Sequence, residues 1–315
     1  MFDNKLTILG AGMAGLIAAN MLRRYDPLVL EAKPSLPDNH RALLRFRSDA
    51  VARATGIPFK KVMVQKAVFW KGALLSECPL DAANAYAFKV SQSYRTRSVI
   101  NLAPEPRYIA PGDFIELLGK SVSVQFGSPI EHLTHDAKAP FPVISTIPMP
   151  VMAKKILALS KVPEFNHRAI QVVESTIEWP DTDLYQTIYF PGNEVPLYRA
   201  SIAGNRFIME MMDEEVKGPG HWIDVVRSMF GLEDAVLNTS QEIKRQPFGK
   251  ILPTDEAWRR NFIVELTRRQ GIYSLGRFAT WRQILLDDVV KDVEQIERLI
   301  EAGSDYSLQM QNIKR

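Results

Sequence analysis

The apolar positions along this chain change their period several times, and each change marks an element. Leu6-Thr-Ile-Leu9 is a short continuous apolar run that leads into Gly10-Ala-Gly12-Met-Ala-Gly15 and then Leu16-Ile-Ala-Ala-Asn20. This reads as a strand, a glycine turn and a helix from Met13 to Arg24. A second apolar run, Pro27-Leu-Val-Leu30, closes on Glu31. Beyond a polar turn, with Asp38 or Asn39 as N-cap, the pattern predicts an amphipathic helix from Arg41 to Arg53. Leu43, Leu44, Ala50 and Val51 form its inner face, and Gly56-Ile-Pro58 ends it. Val62 to Trp70 and Ala73 to Leu75, joined at Lys71-Gly72, predict a β-hairpin. Residues 79–104 read as irregular and polar. Pro111-Gly-Asp113 opens a helix from Phe114 to Lys120, followed by strands at Ser121 to Phe126 and Pro142 to Thr146, and a helix from Val151 to Leu159.

The texture then changes. Arg168 to Trp179, Leu184 to Phe190, Leu197 to Ala203 and Arg206 to Met211 are separated by turn residues such as Pro191-Gly-Asn193 and Gly204-Asn205. They predict an antiparallel meander. A helix from Trp222 to Met229, a strand at Gly271 to Leu275 and a long amphipathic helix from Ile284 to Ala302, stopped by Gly303, complete the pattern. Residues 304–315 read as a loose tail. There is no internal repeat and no low-complexity segment. The fold class is α/β.

Composition narrows the setting. The 315 residues suffice for about two domains, and 46% apolar with 24% charged residues is ordinary for a chain with a packed core. Cys78 is the sole cysteine, so no internal disulfide forms. The N-terminus enters the first strand directly, and no apolar run approaches a membrane span. The expectation is a cytoplasmic protein with no membrane partner. The net charge of +3 conceals an asymmetry: between Arg41 and Arg97 eleven Lys/Arg face three Asp/Glu, a local +8 against −5 elsewhere. Such a bias is either an attractor for anions (cofactor phosphates, a nucleotide, nucleic acid) or a solvated basic face.

Among candidate chemistry, Gly10-x-Gly12-x-x-Gly15 carries the most information. The first glycine permits a tight turn, the second lets backbone approach a pyrophosphate, and the third lets the helix pack closely on the strand. Glu31, nineteen residues after Gly12, stands where a carboxylate accepts hydrogen bonds from a ribose. His132 and His135 lack a further ligand cluster and read as surface histidines. His40, His167 and His221 are isolated, and Cys78 reads as a small core residue. Phe69-Trp70, Tyr86 and Tyr94 either stack a nucleobase or fill a core.

The stretch Gly271-Ile-Tyr-Ser-Leu-Gly276-Arg277-Phe-Ala-Thr-Trp281-Arg282-Gln283-Ile-Leu-Leu-Asp287-Asp288 resembles the closing flavin motif of UDP-galactopyranose mutases, relatives of the amine oxidases. Asn193-Glu-Val-Pro-Leu-Tyr-Arg199 and Val143-Ile-Ser-Thr-Ile-Pro148 are similar to two further segments of that superfamily. The resemblance implies a Rossmann-type FAD-binding domain with an inserted, mainly antiparallel β substrate domain. Residues 1–60, 100–160 and 246–305 would form the first, 61–99 and 161–245 the second, and 306–315 a tail. It implies FAD held by Gly10, Gly12, Met13, Ala14, Gly15, Glu31, Arg41, Gly276, Arg277, Leu286 and Asp287. It places Arg199, Trp281 and Gln283 at the chemistry, with no metal. In this reading the first turn of the last helix, near Leu286 and Asp287, directs N–H groups at the flavin pyrimidine edge.

The departures are specific. A mutase tyrosine that binds the substrate diphosphate is replaced by Gln283, and an asparagine or aspartate two further on by Leu285. The helical lid domain is largely absent, and the superfamily's Gly-Gly-Arg is replaced by Asn39-His40-Arg41, leaving Arg41 to do that arginine's work. The leading expectation is an FAD-dependent oxidoreductase acting on the carbon beside an amine, with an anionic, nucleotide-linked or DNA substrate. Its general character also resembles small phage flavoenzymes that tailor hypermodified thymine. A redox-neutral mutase-like enzyme and a non-catalytic flavin-binding protein are the alternatives.

Overall fold

The computed structural model describes residues 6–37, 45–94, 98–130, 142–179, 182–212, 220–233, 235–239 and 243–302. Five short strands form a parallel sheet: β1 (Thr7–Leu9), β2 (Leu28–Leu30), β6 (Ser123–Gln125), β7 (Val143–Ser145) and β14 (Ile272–Ser274), in the order β14-β7-β1-β2-β6. Because side chains alternate along a strand, Ile8, Val29, Ile144 and Tyr273 face one core while Leu9, Leu30, Val143 and Ile272 face another. Both faces are covered, which is why these strands read as continuous apolar runs. On the first face lie α1 (Met13–Met21), α4 (Phe114–Lys120) and α9 (Leu286–Glu301), and on the second lies α7 (Glu256–Gln270).

The remaining strands build a second, mainly antiparallel sheet. Its order is β12 (Leu237–Thr239), β8 (His167–Ile177), β11 (Arg206–Met212), β10 (Leu197–Ala203), β9 (Tyr185–Tyr189), β3 (Lys60–Trp70) and β4 (Ala73–Leu75). In addition β13 (Lys244–Ile251) pairs with β8, and β5 (Glu105–Ile109) with β3. The predicted β3–β4 hairpin is present, and Lys71 (φ 51°) with Gly72 (φ 82°) supplies the two left-handed residues of a tight two-residue turn. The meander is only partial. β9, β10 and β11 follow one another, but β8 pairs with β11, and β9 takes β3 as a parallel neighbour.

Several expectations need correction. Residues 79–104 are not irregular throughout, because Leu80–Ser91 is a helix, α3, whose buried stripe (Ala82, Ala83, Tyr86, Ala87) is built from weakly apolar alanines. The expected Arg41–Arg53 helix is, among the described residues, only α2 (Ala50–Thr55). The Asp287 carboxylate accepts the N–H groups of Arg47 (3.2 Å) and Ser48 (3.0 Å), and Phe46 pairs with Tyr108 instead of joining a helix. The Val151–Leu159 helix is a single α-turn, α5 (Met149–Val151), running into a π-turn over Met152–Ile156. A short helix, α8 (Gly276–Ala279), follows β14, and α6 (Gly220–Met229) matches the expected helix near Trp222. The antiparallel pairing of β13 continues to Ile251. The proposed N-cap at Asp38 or Asn39, Arg41, His132 and His135 lie outside the described residues.

Candidate dinucleotide site and an adjoining cationic cluster

The three glycines of the first turn do different work. Gly10 takes φ +99°, donates its N–H to Leu30 (2.8 Å), and a Cβ there would strike the Thr146 hydroxyl. A Cβ on Gly15 would collide with the carbonyl of Gly10, so α1 sits directly on the turn. Both are explained by the protein's own packing. Gly12 is not: it has an ordinary φ of −70°, and a Cβ there meets nothing within 4 Å. Gly12 is also the N-cap of α1 and has no capping side chain, so the helix's first amides are left for another acceptor. Met13 and Ala14 of this first turn are half-buried.

Glu31 closes one side of the turn. One carboxylate oxygen accepts from Ala11 N–H (2.7 Å) and the other from Lys33 N–H (2.9 Å), leaving further lone pairs for a hydroxyl donor. The opposite side is closed from the far end of the chain. Gly276 has φ +86°, and a Cβ on it would stand 2.9 Å from the Ala14 Cβ. The C-terminal motif therefore lies against the first helix at a position only glycine fills without displacement. At the start of α9, Leu286 is half-buried, the Leu285 N–H is taken by the Asp288 carboxylate (2.8 Å), and Asp287 is spent on Arg47 and Ser48.

From Gly276 the chain leads to a half-buried group of cations. The Arg277 guanidinium donates to the Gly249 carbonyl (3.2 Å), while its Nε is buried without a partner. The next strand residue, Lys250, places its ammonium 4.2 Å from the centre of the Tyr198 ring. Arg199 binds Glu210 through Nε and a terminal nitrogen (2.8 Å), and the Tyr198 hydroxyl donates to the same carboxylate (2.9 Å). Consecutive strand residues normally face opposite ways. Here the register shifts between Leu197, opposite Met211, and Arg199, opposite Glu210, so Tyr198 is an extra residue in a β-bulge. The bulge turns both side chains to one carboxylate. Arg45 completes the group: it donates to the Thr187 hydroxyl and to the carbonyls of Ile202 (3.1 Å) and Gln186 (3.3 Å), and its Nε is buried and unpaired.

The charges do not balance. Among the described residues, Glu210 is the carboxylate that acts on Arg45, Arg199 and Lys250, and it does not reach Arg277. Burial opposes the charge of Arg199, but Glu210 outweighs it and holds the guanidinium firmly protonated. Burial raises the Glu210 carboxyl, and the Arg199 charge more than reverses this. Glu210 relieves Lys250 only in part: burial first, then Arg199, push its ammonium down to about 7. Burial and Arg199 likewise lower Arg45, to about 9, so it stays charged at neutral pH. Half-buried cations that outnumber the described carboxylates are costly, and this arrangement suits an anion.

Two further expected site residues make contacts with the end of β13. Trp281, at φ 47°, is 4% exposed, donates its indole N–H to the Leu252 carbonyl (2.9 Å) and packs edge-on to Phe165. Gln283 donates to the Ile251 carbonyl (3.1 Å). Both pin the end of β13 immediately after Lys250, and they border a cavity of about 470 Å³ lined by α7 and α9. The basic stretch is largely spent internally. Arg47, Arg53, Lys60 and Lys71 pair with Asp288, Asp49, Asp183 and Asp81, and Lys66 pairs with Glu105. Lys250 and Glu210 escaped the sequence reading because a lone lysine or glutamate on a strand carries no motif. Among the described residues there is no group of three or more candidate metal ligands.

No family model matches the chain, and no curated protein matches it. Solved structures do. A reduced UDP-galactopyranose mutase superposes with a TM-score of 0.68 at 15% identity, over 98% of this chain and 96% of the other. A geranylgeranyl bacteriochlorophyll reductase-like protein from Thermoplasma acidophilum gives 0.55 at 13% identity, over 98% and 82%. The p-nitrophenol 4-monooxygenase of Pseudomonas putida gives 0.54 at 10% identity, over 96% and 82%. At these identities the likeness concerns the fold: a parallel sheet joined to a mainly antiparallel one.

Proposed function

We propose that this chain is an FAD-dependent enzyme, and specifically an oxidoreductase that takes an anionic substrate at the Arg45–Arg199–Lys250–Arg277 cluster. The observation that carries the cofactor reading is the open cradle over Gly12, walled by Glu31 on one side and by Gly276 against Ala14 on the other. A pyrophosphate is the group that uses uncapped amides and a missing Cβ together. The fold shared with the mutase and the reductase-like and monooxygenase structures supports it.

FAD, when bound, supplies the hydride acceptor. The chain supplies position and charge. Gly12 and the first turn of α1 receive the pyrophosphate, and Glu31 accepts from the ribose. Arg277 leads from that cradle to the cluster, where Arg199, fixed by Glu210, and Lys250 hold an anionic group of the substrate. The preferred reaction class is oxidation of the carbon beside an amine, with water hydrolysing the imine product. An aminoacyl-modified nucleobase in DNA joins an amine to phosphates and fits this description. Five cations of the 41–97 stretch pair with acidic partners, and Arg45 is the member of that stretch that joins the cluster. A redox-neutral mutase-like reaction is the second reading, favoured by the 0.68 superposition, while the commitment of Gln283 to Ile251 counts against it.

The purified protein is expected to be yellow and to retain FAD. Anaerobic bleaching by an amine or a glycinyl-modified nucleoside, with peroxide on re-aeration, is the expected oxidative outcome. Turnover of UDP-galactose only after dithionite reduction would replace the oxidative reading with the mutase one. A colourless protein that takes up no FAD would sink both.

A further inference from the structure

The segment between β9 and β10, Phe190 to Leu197, has an unusual way of satisfying its backbone. Its sequence, Phe190-Pro-Gly-Asn-Glu-Val-Pro-Leu197, contains two prolines without N–H groups. It is closed by a single strand-like bond, Phe190 N–H to the Tyr198 carbonyl (3.1 Å). The carbonyls of Val195 (2.6 Å), Leu197 (2.7 Å), Phe190 (3.0 Å) and Gly192 instead converge on one atom, the Nζ of Lys89. Lys89 projects from α3 and is 6% exposed. An ammonium has three protons, so four converging carbonyls treat it as a dehydrated monovalent cation, in the manner of a carbonyl-lined ion site.

The position of this cage in the chain gives it a consequence. Leu197, whose carbonyl is one of the four, is the last regular residue before the bulge at Tyr198, and the bulge turns Tyr198 and Arg199 together onto Glu210. We infer that Lys89 is a positioning residue, a tethered monovalent cation around which the 190–197 segment folds, and that it thereby sets the aim of Arg199. The inference rests on the flavin reading for one of its two measurements and not for the other.

The test is chemical rescue. Lys89→Ala removes the ammonium and the butyl stem, leaving the four carbonyls and a channel to them. Free ammonium or potassium ions match the vacated site, and tetramethylammonium is too large for it. In the FAD-free protein, the thermal midpoint of K89A is expected to fall, and to recover in ammonium or potassium chloride but not in tetramethylammonium chloride at equal ionic strength. In the FAD-loaded protein, affinity for sulfite, a probe of positive charge near the flavin, is expected to drop about tenfold in K89A and in Arg199→Ala alike. The same cations should restore it in K89A and not in R199A. Lys89→Arg, which cannot fit a guanidinium among four carbonyls, should behave as K89A without rescue.

Equal effects of all three salts on the thermal midpoint would overturn the cage. Recovery of the midpoint with no recovery of sulfite affinity would make Lys89 a structural residue and overturn its positioning role. A wild type that takes up no FAD would refute the flavin reading and the link to Arg199, and the thermal measurement would still decide the cage.

Discussion

Gly12 and Gly15 are three residues apart and identical in type, yet the surroundings separate their roles. Gly12→Ala adds a methyl to empty space with a permitted φ. Its unfolding free energy without ligand should stay within about 0.5 kcal/mol of wild type, while FAD binding drops sharply. Gly15→Ala pushes a Cβ into the Gly10 carbonyl and should destabilise the apo-protein itself, by about 2 kcal/mol or more. Denaturant melts with and without FAD distinguish the two. Lys250 gives a pH prediction with a definite sign. Its ammonium is pushed down to about 7 from an ordinary 10.5, so between those values the unfolded chain binds the extra proton. The penalty of burying the charge is fully present below pH 7 and is relieved as pH rises toward 10.5. Anion binding runs the other way, because it needs the charged form. Affinity for an anionic ligand should weaken by up to about tenfold per pH unit above 7, with proton uptake measurable by calorimetry in buffers of different ionisation enthalpy. Lys250→Met should flatten both profiles.

Elements whose side chains repeat with a clear period were legible in the sequence: β1, α1, β2, the β3–β4 hairpin, β8 to β11 and most of α9. The glycine turn and Gly276 were legible as well, because each type of residue there answers a backbone requirement. What was missed has physical causes. α3 buries alanines and a lysine, so its inner face does not register as apolar. α7 has arginines and glutamates on most of its surface, and its start is signalled only by Asp255, which accepts the Trp258 N–H (3.0 Å). The 45–48 segment is the most instructive case. Its local pattern is helical, but Asp287, some 240 residues away, draws its amides out of a helix and so delivers Arg45 to the cluster. Asp287→Ala removes three accepted hydrogen bonds from a carboxylate that is 8% exposed. It should cost about 2–3 kcal/mol and weaken anion binding together with stability. An effect on stability alone, with anion affinity intact, would show that Arg45 keeps its place without the clamp.

At the scale of the whole molecule, one sheet carries the cradle and the other carries most of the cluster, and Gly276-Arg277 is the covalent step between them. A ligand that spans both should stabilise the fold by mass action, about 2.7 kcal/mol at a hundredfold excess over its dissociation constant. An FAD-dependent rise in thermal midpoint that is lost in G12A would confirm the coupling. The separate cores on the two sheets were visible only as an undivided supply of apolar residues in the sequence. Their separation depends on which strand neighbours which, and the parallel β3–β9 pairing in particular has no local signature.

The contact between Gly276 and Ala14 also has a consequence in time. A ribosome delivers the chain from its N-terminus, so the glycine turn emerges early and waits for a wall that is encoded some 260 residues later. At ordinary translation rates that wait lasts roughly 15–50 s. During it, β1 and α1 are exposed without the partner that completes the nucleotide cradle. Nascent chains arrested before Gly276 leaves the exit tunnel should therefore not retain FAD, whereas chains arrested after α9 has emerged should. The segment from Gly276 onward, on this view, decides when the glycine turn becomes a binding site.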